Sequence, residues 1–312
     1  MYKTPPSITV VIPSYNRRDS MLILLADVFK QKHANFEVVV VDDCSADDSV
    51  AAIKEAFPQV RLFVNEKNGG PAVTRNRGIT EARAEIIVGL DSDVTVPDTQ
   101  CLKKVEQQFE ELPQAAGLAF HLLQPGGITE DFARWWHPVP IEDYSDKRFE
   151  TSYFSGTGCA FRKSSLLEAG LYPEILYMHY EEYELAFRLL DTGKTIVYCP
   201  EIRVIHHEHQ VSRRTEIKTF YKHRNQILVT IALYPFWRGL AYIFPRTIHT
   251  FIDSVKRGYI KTYFRALKSA KDLAPIRMKS RKPLSRTTWS RIAAMKQGLL
   301  VPQTLNSKEK PS

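Results

Sequence analysis

From Ile8 to Leu90 the chain alternates between short apolar runs and stretches with helical spacing, and that alternation leaves few folds open. Residues 8–13, 36–41, 60–64 and 85–90 are rich in Val, Ile, Leu and Phe; each of the first three runs is followed by a helical stretch, at 18–32, 47–57 and 71–83. Strands that are apolar throughout, rather than at every second residue, are covered on both faces. Joined by helices, they predict a parallel sheet with right-handed crossovers. Further on, a helix is expected at 181–191 and strands near 195–199 and 203–206. Residues 124–151, with Gly, Pro and the adjacent Trp135 and Trp136, read as a long loop whose tryptophans serve to stack on a ligand ring, to pack in the core or to anchor the loop.

In open parallel sheets, ligands gather beyond the carboxyl ends of the strands. Three predicted strand ends are polar there: Pro13-Ser14-Tyr15-Asn16, Asp42-Asp43-Cys44-Ser45 and Asp91-Ser92-Asp93. Side chains two apart on extended backbone share a side, so Asp91 and Asp93 are expected to converge on one cation. Oxygen ligation suits Mg²⁺ or Mn²⁺, which keep water and substrate phosphate in their remaining positions. Pro13 breaks its strand, and Tyr15 is placed to flank a ring. Asp42 and Asp43 point apart, one to accept an imide N–H from a base and the other to cap the helix that follows. Asn68-Gly69-Gly70-Pro71 opens a helix with Arg75 one turn in, which favours a phosphate; it also reads as a plain turn with a solvated charge.

Together these residues resemble an inverting GT-A glycosyltransferase of family 2. Val10-Val11-Ile12-Pro13-Ser14-Tyr15-Asn16-Arg17 matches its opening strand, and Val40-Val41-Asp42-Asp43-Cys44-Ser45 its base-binding strand end. Asn68-Gly69-Gly70-Pro71-Ala72 with Arg75-Asn76 matches a third motif, Asp91-Ser92-Asp93 the Asp-x-Asp, and Ser155-Gly156-Thr157-Gly158 the loop before the acceptor site. The resemblance runs in order through roughly the first 230 residues, which makes it specific. It implies a GT-A fold, a Rossmann-like mainly parallel sheet flanked by helices, over 1–225, with a nucleotide-sugar half (1–123) and an acceptor half (124–225). Pro13, Tyr15, Asn16, Asp43, Arg75, Asp91 and Ser92 fall at the donor site. Asp93 and Asp91 fall at the metal, with His206 near the diphosphate or completing the metal shell, whereas His207 and His209 are read as structural.

The family reads Glu-Asp-x-Asp-Leu and then Arg where this chain has Glu181-Glu182-Tyr183-Glu184-Leu185, and the second acidic residue is its general base. That role falls on Glu182, with Glu181 in reserve; read without the resemblance, the segment is an acidic helix start in which Glu184 pairs with Arg188. An acceptor hydroxyl must lose its proton as it attacks, and a carboxylate in reach can take it. The implied reaction moves a sugar from a UDP-, dTDP- or GDP-sugar to a hydroxyl of a glycan or lipid-linked acceptor, in surface polysaccharide or glycolipid synthesis. A dinucleotide oxidoreductase is disfavoured because no glycine fingerprint follows the first strand. The alternatives are a sugar nucleotidyltransferase and a non-catalytic nucleotide-sugar-binding or membrane scaffold.

Charge divides the chain. Gln210 to Ser312 carries 22 Lys and Arg against 4 Asp and Glu, and Met1 to His209 carries 21 against 31. Residues 226–312 are expected to form a basic helical extension, with Ile248, Phe251, Ile252, Val255, Tyr259, Tyr263 and Leu267 on one face. Such a face either lies on an anionic membrane or packs on the catalytic body. Nucleic acid is not expected as a partner, since no dedicated motif occurs. The apolar run at 227–234 is cut by Pro235 and Arg238, short of the about 20 residues a bilayer span needs. Without a secretory leader before the first strand, and with four scattered cysteines, the expected location is cytoplasmic, peripheral on the inner face of the cell membrane.

Overall fold

In the computed structural model, which describes residues 5–207, 215–299 and 301, the apolar runs assemble into one nine-stranded sheet. β1 (Ile8–Ser14), β2 (Phe36–Asp42), β3 (Arg61–Val64) and β4 (Ile86–Leu90) pair in parallel in the order β3-β2-β1-β4. Helices α1 (Arg18–Phe29), α2 (Ser49–Ala56) and α3 (Gly70–Glu81) cross over between them. Alternate strand residues feed opposite layers. Val10, Ile12, Val40 and Val88 pack with Met21, Leu24 and Ile53 on one face, and Val11, Val39, Val41 and Ile87 pack with Ala72 and Ile79 on the other. Burial on both sides is why these runs carry no polar alternation.

Beyond β4 the sheet becomes mixed. The chain continues through β5 (Val94–Thr95), α4 (Cys101–Glu111), β6 (Ala115–Leu123), α5 (Ile141–Tyr144), β7 (Phe149–Glu150), β8 (Gly158–Arg162), α6 (Lys163–Ala169), α7 (Glu181–Asp191) and β9 (Thr195–His206). The sheet order is completed as β4-β8-β6-β9-β5, with β8 antiparallel to both neighbours and β6 parallel to β9. The two strands expected at 195–199 and 203–206 are one, β9, whose register against β6 shifts between Phe120 and His121. Residues 124–151 are irregular as expected, but β7 pins them to β9.

The basic C-terminal third folds as α8 (Thr215–Leu233), α9 (Phe236–Lys256), α10 (Ile260–Lys279) and α11 (Arg286–Ala294). A boundary at 225 falls inside α8, and that helix is bound to the catalytic body. Leu228, Val229 and Leu233 pack against Leu176, Tyr180 and Phe187. Asn225 Nδ2 donates to the carbonyls of Leu176, Met178 and His179 at 2.7–2.8 Å, bracing a loop in which Tyr177, His179 and Tyr180 have positive φ. Arg277 of α10 reaches Glu184 of α7 at 2.6 Å. The single apolar face expected from Ile248 to Leu267 is divided. Gly258 (φ 74°) separates the two helices; Ile248, Phe251, Ile252 and Val255 are exposed, whereas Tyr263 is buried and stacked on His223. No helix among the described residues is long and apolar enough to cross a membrane.

Candidate active site

The ends of β2, β1 and β4 lie side by side, so the loops beyond them form one rim. Asn16, in a left-handed conformation (φ 51°), donates its N–H to Ser45 Oγ and accepts from Ala46 N–H through Oδ1, both at 2.8 Å. Ser45 donates from N and Oγ to the two oxygens of Asp42 at 2.8 and 2.6 Å. Asn16 therefore acts first as a strut between loops. Tyr15 is 44% exposed beside it and Pro13 half-buried, so Tyr15 remains open to flank a ring.

The expectation that one of Asp42 and Asp43 caps α2 is corrected here. Asp43 Oδ1 accepts from Asn65 Nδ2 at 2.8 Å and Gly69 N–H at 3.0 Å, and Oδ2 accepts from Gly70 N–H at 2.8 Å. Those two backbone N–H groups open α3, so Asp43 caps a helix from the next crossover. Asp42 is spent on Ser45, and α2 instead starts beside Asp47, which accepts from Ser49. The phosphate site expected at the α3 N-terminus thus already holds a protein carboxylate.

Arg75 is not a solvated charge. Its side chain is 9% exposed and Nη2 donates to Asp91 Oδ1 at 2.7 Å. Its Nη1 stands 3.6 Å from Glu181 and 3.9 Å from Glu182, without a hydrogen bond of its own. Thr157 Oγ1 donates to the second Asp91 oxygen at 3.2 Å. Asp91 and Asp93 are not on continuous strand, because β4 ends at Leu90 and the chain turns through a buried Ser92 before β5, yet the Asp91 charge still bears on Asp93. Burial pushes the Asp91 carboxyl up, but the Arg75 guanidinium outweighs it and the net shift is downward. Asp93 moves the other way: burial and the Asp91 charge raise it, only partly offset by His206, Arg17 and Arg134.

Glu182 is held across the cluster. Its Oε1 accepts Gly156 N–H at 2.6 Å and its Oε2 accepts the Tyr153 hydroxyl at 3.4 Å. Burial raises its pKa, and Arg75 holds it partly down. Glu181 is the deeper of the two, with a side chain 6% exposed against 22% for Glu182. Burial and then the Glu182 charge push Glu181 up to about 8, and its Oε2 has no hydrogen-bond partner. Of the pair, Glu182 is the carboxylate that a substrate can touch. Glu184 belongs elsewhere, between Arg188 at 3.6 Å and Arg277.

Two predictions arise from this packing. A Cβ at Gly156 would stand 2.3 Å from Arg75 Nη2 and 2.6 Å from Glu182 Oε1. Gly156→Ala is therefore expected to displace both groups and lower kcat by roughly 100-fold, as misplacements of about 1 Å do; steady-state turnover checks it. For Glu181, the folded pKa of about 8 exceeds the free value of 4.5, so its contribution to stability is complete at low pH and is lost as pH rises toward 8. Removing that ionisation in Glu181→Gln is expected to raise the melting temperature by roughly 5 °C at pH 8.5 and hardly at all at pH 4.5. Equal shifts at both pH values in a thermal melt would refute this.

His206 lies opposite Val94 where β9 meets β5. Its Nε2 is 3.9 Å from Asp93 Oδ1, and its Nδ1 is 2.9 Å from Asp131 Oδ2. Asp131 orients the ring, leaving Nε2 toward Asp93 in the tautomer that this network implies. Among the described residues no three His, Cys, Asp or Glu side chains cluster to hold a metal; of the expected set, Asp93 and His206 stand 3.9 Å apart and Asp91 is engaged by Arg75 and Thr157. A carboxylate oxygen and an imidazole nitrogen, with other positions left to diphosphate and water, fit Mg²⁺ or Mn²⁺. His207 is structural: its N–H donates to the Asp93 carbonyl at 2.8 Å and its Nε2 meets Thr95 Oγ1 at 2.9 Å. His209 lies outside the described residues.

Sequence reasoning missed two residues, both in the 124–151 loop, where no periodicity marks them. One is Asp131. The other is Arg134: burial alone would lower its pKa, yet Asp91, Glu182 and Asp131 raise it, so a cation sits amid the acidic rim. The two tryptophans separate. Trp135 donates its indole N–H to the Val139 carbonyl at 2.7 Å and packs on Tyr198, a loop anchor. Trp136 is 45% exposed and stacks on Tyr153, the residue that bonds Glu182.

Residues 9–170 match the family described as Glycosyl transferase family 2. An uncharacterized glycosyltransferase of Haemophilus influenzae is 29% identical over 185 residues, covering 59% of this chain and 62% of that protein. The succinoglycan biosynthesis protein ExoO of Rhizobium meliloti is 41% identical over 105 residues, 33% of this chain and 30% of its own. The putative teichuronic acid biosynthesis glycosyltransferase TuaG of Bacillus subtilis is 33% identical over 108 residues, 34% and 41% respectively. The chain thus spans less than two thirds of the length of these relatives. Among solved structures, S. aureus TarS 1–349 aligns with a TM-score of 0.61 at 20% identity, over 88% of this chain and 82% of that one. A Pyrobaculum calidifontis mannosyltransferase, PcManGT in complex with GDP-Man and Mn²⁺, aligns at 0.56 and 19% identity over 95% and 85%. At such identity the likeness is one of fold, and the fold is GT-A.

Proposed function

The chain belongs to glycosyl transferase family 2, and on that premise we propose that it is a metal-dependent inverting enzyme that moves a sugar from a nucleoside-diphosphate donor to a hydroxyl of a glycan or lipid-linked acceptor. The observation that carries this is the placement of Glu182, partly exposed and held by Gly156 N–H, across a cluster of Arg75, Asp91 and Arg134 from the Asp93–His206 pair. Glu182 takes the proton of the attacking hydroxyl on one side of the sugar. Asp93 and His206 would hold Mg²⁺ or Mn²⁺, which supplies positive charge to a leaving diphosphate. Arg134 adds a fixed cation on the same side, and Asp131 keeps His206 aligned. A base on one face and the leaving group on the other make one in-line displacement with inversion.

Tyr15 flanks the nucleotide ring, and Trp136 offers an aromatic surface to the acceptor sugar beside Glu182. Relatives named for succinoglycan and teichuronic acid biosynthesis support a role in polysaccharide assembly. Fold neighbours solved with UDP-GlcNAc and with GDP-Man and Mn²⁺ make nucleotide sugars and a divalent cation the first ligands to try.

The test is a thermal-shift series with UDP-, dTDP- and GDP-sugars, each with and without Mn²⁺, followed by labelled donor incubated with membranes. One nucleotide sugar should raise the melting temperature only with the cation, since ligands that bind the folded state stabilise it. Label should then appear in the glycan or lipid fraction with release of nucleoside diphosphate. Formation of pyrophosphate from a nucleoside triphosphate and a sugar phosphate would make the protein a nucleotidyltransferase instead.

A further inference from the structure

We propose that the outer face of α9 rests on an anionic lipid surface, with the helix lying in its plane. Trp237, Leu240, Phe244, Ile248, Ile252 and Val255 recur at three- and four-residue spacing and are each 44–78% exposed. No charged residue falls within that stripe. The one acidic residue of α9, Asp253, is turned to Arg257, which donates to it at 2.8 Å. At 1.5 Å per residue the stripe runs about 27 Å, and contiguous exposed apolar surface rimmed by polar residues marks an interaction face.

The opposite side of α9 is anchored. Gly239 sits against Thr230 and Tyr234 of the α8 end, closely enough that a Cβ would stand 3.1 Å from Thr230, and Ser254 is fully buried. At the edge of the stripe the Phe251 ring meets Tyr263 of α10 edge-on at 5.3 Å. The stripe is therefore displayed on a packed platform, not on a loose tail.

Charge selects the occupant. Arg238 and Lys256 are exposed about a quarter-turn from the stripe, and α10 shows Lys261, Arg265 and Lys268 to solvent. Two copies meeting stripe to stripe would bring together two segments that each carry 22 Lys and Arg against 4 Asp and Glu. An anionic lipid surface gains from the same charges, each basic residue near it adding to the attraction. A buried apolar stripe with basic flanks and an aromatic residue in the first turn is what an in-plane helix requires. This goes beyond the transferase reading and does not depend on it.

The test is flotation of the full chain with vesicles of phosphatidylcholine alone or with added phosphatidylglycerol, at low and high salt. The protein should float with the anionic vesicles, and less so at high salt, where exposed charges are screened. The double variant Trp237→Asp/Phe244→Asp should weaken binding by roughly tenfold or more. Arg238→Glu/Lys256→Glu should lose the preference for phosphatidylglycerol. All four side chains are exposed, with Arg238 lying 4.9 Å over the Trp289 ring, so the melting temperature of each variant checks its folding; should the aspartates disturb α9, Trp237→Ser/Phe244→Ser serves in their place. A parent that floats with neither vesicle, or stripe variants that float as it does, overturns the proposal. So does a parent that sediments as a dimer, is made monomeric by the stripe variant, and does not bind lipid. Donor-induced thermal shifts are read separately, so failure of the transferase reading leaves this result interpretable.

Discussion

Glu182→Gln should bind donor as the parent does and transfer sugar slower by roughly 10²–10⁴-fold, the range a positioned general base supplies. Glutamine keeps an oxygen for Gly156 N–H at the place where Glu182 now accepts it at 2.6 Å, so the loop geometry survives while the basic group is lost. The pH profile makes the assignment specific. Burial raises the Glu182 pKa, so the form able to take a proton appears only above the ordinary carboxylate range. In the parent, kcat/KM should rise with pH through that raised value, and the variant should lose this limb. Near-parental turnover in Glu182→Gln, together with a large loss in Glu181→Gln, would move the base to the deeper residue.

Asp93→Asn carries the second large effect. Unlike Asp91, Asp93 is not turned to Arg75, and it lies 3.9 Å from the Nε2 that Asp131 aims at it through His206. Losing it should lower kcat/KM by on the order of 10³-fold, since charge on a leaving diphosphate is worth several kcal/mol. The Mn²⁺-dependent part of the donor thermal shift should vanish with it, and chelation of the parent should have the same effect. The apo variant should melt no lower than the parent. Burial and Asp91 hold the Asp93 pKa up in the folded state, so its ionised form opposes folding as pH rises through that value, and asparagine removes the penalty. Unchanged donor binding with and without Mn²⁺ in Asp93→Asn would place the cation elsewhere.

Local chemistry made much of this site legible. The start of α7 at Glu181 follows from an acidic first turn, and the rim at Asn16, Asp42 and Asp91 from where each apolar run stops. What local chemistry could not supply was partnership. The Asp-x-Asp looked like a pair on continuous strand, whereas the chain turns after Leu90 and gives the two carboxylates different first partners, Arg75 for Asp91 and His206 for Asp93. Read locally, Arg75 looked able to face solvent or a phosphate, and its first partner is Asp91. α4 carries Cys101, Leu102, Val105 and Phe109 on one buried face at helical spacing, whereas in β6 all nine residues are buried, which erases alternation.

By itself, then, the order of residues determined the two-faced sheet, the sequence of polar strand ends and the acidic helix start, because each is a response of a few consecutive side chains to burial or to a helix terminus. Only the tertiary structure decided which groups meet. Asp43 caps a helix 27 residues later, Asp131 reaches His206 across 75, and Arg277 reaches Glu184 across 93. Such contacts exist once strands have taken their places in the sheet, and no local spacing encodes them. For the same reason one half of the C-terminal apolar stripe turned inward on α8 and the other half remained facing out.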